Sequence, residues 1–336
     1  MSGSSTRPAR PAATPSAAAR PAARPSGRTP ARPGATGRLP RRLLLAIGLA
    51  LLGLVLVVLL ARWFRETPAG LGFLAAYPGE YALPQDAPVG IPAWLAWQHG
   101  LNAFFLLLII RTGLLVRTTN RPAAYWTRAN SGPLKTKNPP KRISLELWLH
   151  LAVDVLFVLN GVVYLVLLFT TGQWVRIVPT SWEVVPNAAS AALQYASLVW
   201  PTEDGWVNYN SLQQLAYFSV VFLAAPLAIV TGLRMSGAWP RDAERLNRAF
   251  PIEWARALHY PVMLFFAAFI VVHVALVLAT GAQRNLNHVY AARNDGSWLG
   301  LIIFAVTLAL MIGAWFAVRP LVIRPIAALT GKVTRS

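Results

Sequence analysis

Residues 256–281 read RALHYPVMLFFAAFIVVHVALVLATG. This apolar run is long enough to cross a bilayer and holds two histidines, His259 and His273. Fourteen residues turn a helix through about 1400°, roughly 40° short of four turns, so both imidazoles project from nearly one face. At about 1.5 Å per residue they stand roughly 21 Å apart along the axis. That places one near each edge of a hydrocarbon layer about 30 Å thick. Polar groups at membrane depth are costly and mark functional sites. The spacing predicts two sites joined by one helix.

The composition agrees with a membrane setting. Of 336 residues, 55% are hydrophobic and 13% charged, which excludes an ordinary soluble domain. Cysteine is absent, so disulfides, thiolate metal sites and cysteine-ligated iron–sulfur clusters are excluded. Five histidines are the available nitrogen ligands. The net charge of +19 is distributed as a topology signal, not as a nucleic-acid surface.

The chain divides into a basic tail (residues 1–42), a transmembrane domain (43–318) and a C-terminal tail (319–336). The first is rich in Arg, Pro and Ala, has nine arginines and no acids, and reads as disordered. Spans are predicted at 43–61, 91–116, 145–172, 211–233, 256–281 and 297–318, an all-α bundle of six transmembrane helices. The first reads as an uncleaved anchor, and no sheet-forming region is apparent. The segments on the side of the termini carry 25 Lys and Arg, against 5 in the opposing loops. Both termini are therefore expected in the cytoplasm of a plasma-membrane protein.

This orientation sorts four histidines by depth. His99 on the second span pairs with His273 near the outer face. His150 on the third pairs with His259 near the inner face. Facing imidazoles between apolar helices suit the axial positions of a haem iron, and double histidine ligation favours electron transfer over oxygen chemistry. Two haem b groups are the expected cofactors. Asp154, four residues after His150, reads either as a proton donor to a quinone or as a carboxyl hydrogen-bonded between helices. Arg111 and Arg234 read either as partners of haem propionates or as positive-inside anchors. Asn160 reads as a bridge between helices. His288 is expected to be solvent-exposed, and the tryptophans of 173–210 to form an interfacial belt.

With LAWQHGLNAFF and LWLHLAVDVLF beside the doublet helix, the chain resembles the bacterial cytochrome b561 and nickel–iron hydrogenase cytochrome b family over roughly residues 91–320. Thr-Gly pairs at 112–113, 171–172, 231–232 and 280–281 add to the resemblance. It implies a four-helix di-haem core with the same histidine pairing. Here that core carries one additional helix at each end, and the added N-terminal helix inverts it relative to the common family orientation. The implied function is electron transfer between a partner oxidoreductase subunit and the quinone pool, or across the membrane. The partner implied is an extracytoplasmic molybdopterin enzyme, and the protein is an electron-transfer subunit, not a self-contained enzyme. A transmembrane metal reductase is the alternative reading, and a proton-coupled transporter is a further one.

Overall fold

The computed structural model describes residues 3, 41–130, 139–201, 204–240 and 242–335. The expected disorder of residues 1–42 falls almost wholly outside them. The chain divides into two units, residues 1–51 and 52–336.

Among the described residues, six helices are long and apolar enough to cross a membrane. α1 (Arg41–Glu66) is the first. Its Leu52, Leu54, Leu56, Leu59 and Leu60 are all exposed, as suits a helix facing lipid. α2 (Pro68–Ala76) is short and starts from Thr67, whose hydroxyl accepts the Gly70 N–H. α3 (Ala93–Thr118) and α4 (Leu145–Thr170) have 26 residues each, about 39 Å of helix, enough for the ~30 Å core. Ser144 caps α4 by accepting the Leu147 N–H at 3.2 Å. α5 (Val184–Ala196) lies in the following connection.

The fourth span runs from Ser211 to Met235 as α6 (Ser211–Phe218), a π segment (Ser219–Ala224) and α7 (Ala225–Met235). Asn210 and Gln213 form a reciprocal cap at its start. The π turns lead into Pro226, which has no N–H to donate and crowds the carbonyl four residues back. α8 (Glu244–Ala249) precedes α9 (Ile252–Ala279), the doublet helix. α10 (Ala282–Ala291), α11 (Leu299–Ala317) and α12 (Pro320–Ala328) complete the set. α3 packs on α4 and α7 on α9, while α10 lies against α11 and α3.

Two expectations are corrected here. A three-stranded antiparallel sheet forms at one end of the bundle, from β1 (Ala124–Arg128), β2 (Arg142–Ser144) and β3 (Gly331–Arg335), with β1 central. Tyr125 opposes Ser144 on one side and Thr334 on the other. Residues 320–335 are therefore folded: α12 packs on α4 and β1, β3 pairs with β1, and Trp126 Nε1 donates to the Ala327 carbonyl at 3.0 Å. The strands are five residues or fewer, and β3 lies some two hundred residues from its partner, so no local pattern announces them.

The second correction is His288, which is 3% exposed. α10 turns Leu286, Asn287 and His288 inward. The His288 ring centre sits 5.2 Å from that of Trp206, and its Nε2 pairs with Asn294 Oδ1 at 2.8 Å. The connections 62–90, 173–210 and 282–296 thus build a folded cap of α2, α5, α10 and a 3-10 turn at Gln173–Arg176. Arg62 Nε ties the end of α1 to this cap at the Ser197 carbonyl, 3.0 Å.

Gly300 marks where α11 meets α10. A Cβ there would run into the backbone of Leu286 and Asn287, and backbone cannot give way as a flexible side chain does. Gly300→Ala is expected to destabilise by about 1–3 kcal/mol, the usual cost of overpacking. Gly313→Ala, on the same helix with open space around it, is the control. Thermal unfolding of the detergent-solubilised protein compares them, and equal melting temperatures would refute the close approach.

Candidate haem-binding site

α3 carries His99 close to the cap, α4 carries His150 close to the sheet, and α9 carries one histidine toward each end. The structure brings them together as two pairs. Ring centres of His99 and His273 are 6.2 Å apart, and those of His150 and His259 are 6.4 Å apart.

These separations can be compared with a metal centre. Imidazole nitrogen binds a first-row metal ion at about 2.0–2.1 Å. C–N bonds of about 1.33 Å place a five-membered ring's centre about 1.1 Å behind each nitrogen. Two axial imidazoles therefore have ring centres about 6.3 Å apart. Both pairs match within 0.1 Å. Among the described residues no group of three or more His, Cys, Asp or Glu could hold a metal ion. Two protein ligands per site, the remainder coming from a macrocycle, fits this donor set.

The family model described as "Prokaryotic cytochrome b561" matches residues 90–289, more than half of the chain and including all four histidines. The chain belongs to the prokaryotic cytochrome b561 family. It is also similar to an Azospira oryzae protein described as "Putative protein-methionine-sulfoxide reductase subunit YedZ1", with 27% identity over 201 residues, 55% of this chain and 88% of the relative. No solved structure matches. This cytochrome b561 family member is a multi-pass membrane protein and a haem b electron-transfer subunit.

The cytochrome holds its two histidine pairs differently. At the sheet end, Thr112 Oγ1 lies 2.9 Å from His150 Nδ1, and Thr231 Oγ1 lies 2.8 Å from His259 Nδ1. Each hydroxyl also lies within bonding distance of the carbonyl four residues back: Leu108 at 2.8 Å and Leu227 at 2.6 Å. With its own proton donated there, the oxygen accepts from the imidazole N–H. Both rings are then held with Nδ1 protonated and the Nε2 lone pair free for a metal. The following glycines make room: a Cβ on Gly113 would lie 3.3 Å from His150 Cε1, and one on Gly232 3.5 Å from His259 Cε1. The other two Thr-Gly pairs end helices instead. Gly172 and Gly281 have φ of 74° and 128°, angles a side chain disfavours.

At the cap end no threonine among the described residues plays this part. His99 Nδ1 is buried without a partner. Tyr290, on α10, meets the His99 ring edge-on at 5.3 Å, and burial pushes its phenol pKa up, keeping it neutral. Phe269 lies parallel to His273 with ring centres 5.4 Å apart. Asn160 Nδ2 donates to Asn102 Oδ1 at 2.8 Å, a polar bridge between α4 and α3.

The remaining sequence candidates are placed as follows. Asp154 Oδ2 is 3.7 Å from His150 Nε2, with its side chain 33% exposed. Arg111 lies over the Trp315 ring at 5.0 Å, with a buried Nε that has no partner. Arg234 donates through Nε to the Phe250 carbonyl at 2.7 Å and lies over Trp239 at 5.0 Å. Thr112 and Thr231, as partners of the histidines, were not identified from sequence. The available signal was a Thr-Gly pair inside each of two spans, but nothing local named the imidazole it would meet.

Proposed function

We propose that residues 43–318 form a di-haem cytochrome domain in a plasma membrane. His99 and His273 would hold one haem b, and His150 and His259 the other. It passes electrons between a partner oxidoreductase subunit at the cap end and quinone at the sheet end, with both termini cytoplasmic. The observation that carries this reading is the pair of ring separations, both matching axial ligation, at opposite ends of one bundle.

When bound, the haems supply one-electron carriage. The chain's own residues do the rest. The four imidazoles would hold the two haems, two to each, and such double ligation would favour electron transfer over oxygen chemistry. Thr112 and Thr231 fix the tautomer of the sheet-end rings, and apolar spans exclude water around them. Asp154, partly exposed beside His150, is positioned to deliver a proton to a quinone reduced at that end. The description of the Azospira relative as a reductase subunit supports a reductase partner, and the family resemblance suggests a molybdopterin enzyme on the extracytoplasmic side. The folded cap, absent from the sheet end, supplies a surface for it.

Purified protein from haem-replete cells is expected to be red, with reduced b-type bands; a colourless preparation would end the reading. Asp154→Asn is expected to slow quinone-linked turnover by about a hundredfold, the low end for removing a positioned proton donor, with haem content unchanged. Unaltered turnover would leave Asp154 as a packed carboxyl and nothing more.

A further inference from the structure

Among the described residues, Arg176 is the only Lys, Arg, Asp or Glu in the buried class, at 1% exposure. It sits in the 3-10 turn of the cap. Nη1 donates to the Gly90 carbonyl at 2.8 Å and Nη2 to the Gly205 carbonyl at 2.6 Å. Its Cζ lies 4.6 Å from the Tyr209 ring centre, and Nε has no partner. No described carboxylate forms an ion pair with it. Of the described acids in the same connection, Glu183 is exposed and Asp204 accepts the Trp206 N–H at 3.1 Å. Carbonyl dipoles alone compensate a buried cation poorly, and a full charge is expected to be paired.

The surroundings connect this cation to the cap-end histidines from two sides. Tyr209 meets Tyr217 at 5.2 Å, and Tyr217 meets His273 at 6.0 Å. On the other side, Gly90 donates its N–H to the Trp206 carbonyl at 2.8 Å. Trp206 packs on His288 of α10, and Tyr290 of the same helix meets His99. Gln173 shares the Gly90 carbonyl with Arg176 at 3.2 Å. Its Oε1 and that of Gln214 are buried without partners, so the neighbourhood holds unspent polar capacity.

We propose that Arg176 is the charged anchor of the cap-end haem, binding its propionate carboxylate through a charge-assisted hydrogen bond from Nε–H. The inference rests on the two-haem reading above. Arg111 and Arg234, which read from sequence either as such anchors or as positive-inside residues, lie at the sheet end against tryptophan rings, and neither serves the cap end. A cation held beside a haem favours its electron-rich, reduced state. Arg176 therefore raises the potential of that haem and leaves the other untouched.

The test is redox titration of the full-length protein in lipid nanodiscs, following both haems by absorption. The cap-end haem is assigned as the one lost in His99→Ala. Arg176→Gln is expected to lower the potential of that haem alone and to weaken its retention on detergent washing. Arg176→Lys, which keeps the charge but not the planar fork, is expected to shift the same haem in the same direction by less. It carries the test if the glutamine variant does not assemble. Glu203 lies outside the described residues, and Glu203→Gln is expected to change neither potential. Wild-type potentials in the Arg176 variants, with only a lower melting temperature, would reduce Arg176 to a tie between Gly90 and Gly205. A rise in the cap-end potential in Glu203→Gln would make Glu203 the counter-ion and also overturn the proposal. A wild-type protein with fewer than two haems fails the underlying reading instead, before Arg176 is changed.

Discussion

His99→Ala and His273→Ala are expected to give the same product: a protein that has lost one haem, about half its b-type absorbance, and keeps the other with its potential unchanged. His150→Ala and His259→Ala are expected to form a second matching pair that lacks the other haem. The physical ground is the two ring separations of 6.2 and 6.4 Å, each suited to one iron between two nitrogens. An alanine on either side removes half of the protein's ligation and so would release the haem that the pair holds. The test lies in the pairing. If His99→Ala resembled His150→Ala more closely than His273→Ala, the assignment by depth would be wrong whatever the total haem content. Haem extraction, with reduced-minus-oxidised spectra at each potential, makes the comparison.

The second large effect is expected from threonines that touch no haem. Thr112→Val and Thr231→Val are nearly isosteric, but each removes the acceptor for a buried Nδ1–H. An unsatisfied buried donor costs about 1–3 kcal/mol, and at about 1.4 kcal/mol per tenfold this is roughly 5- to 150-fold in affinity. Loss of a partner that orients a metal-binding histidine typically costs 10- to 100-fold. Each valine variant is therefore expected to bind the sheet-end haem at least tenfold more weakly and to leave the cap-end haem alone. Serine at either position restores the acceptor and is expected to restore retention. Equal haem retention in valine and serine variants would show that these hydroxyls only bond back to their own helices. Gly113→Ala is a steric counterpart. Its Cβ, 3.3 Å from His150 Cε1, requires the ring to shift by a few tenths of an ångström.

Two kinds of information separate here. Apolar runs of nineteen residues or more and the asymmetry of Lys and Arg predicted six spans, and the described residues hold six helices of that kind. The family followed from the histidine-bearing helices, and the match over residues 90–289 agrees. These features report how each segment meets lipid or water, a property of the segment alone. Helix pitch belongs to the same class: it sets how far apart His259 and His273 stand without reference to any neighbour.

What only the tertiary structure decided depends on two segments at once. Thr112 and His150 are 38 residues apart, and Thr231 and His259 are 28 apart. Their meeting depends on how each helix is rotated about its own axis when it packs, which no single-helix pattern encodes. Trp126 and Ala327 meet across 201 residues, joining short strands and a short helix that read locally as charged connections. His288 looked like a loop residue because its neighbours are polar, and it is buried because α10 folds beneath α11. Arg176 looked like a sparse outer-loop charge, and it lies at 1% exposure because Gly90 of one connection and Gly205 and Tyr209 of its own close around it. Hydropathy and charge are sums over neighbours in the chain, so they locate the bundle in its membrane. The hydrogen bonds and buried charges that shape the sites are made by residues distant in the chain, and packing alone brings them together.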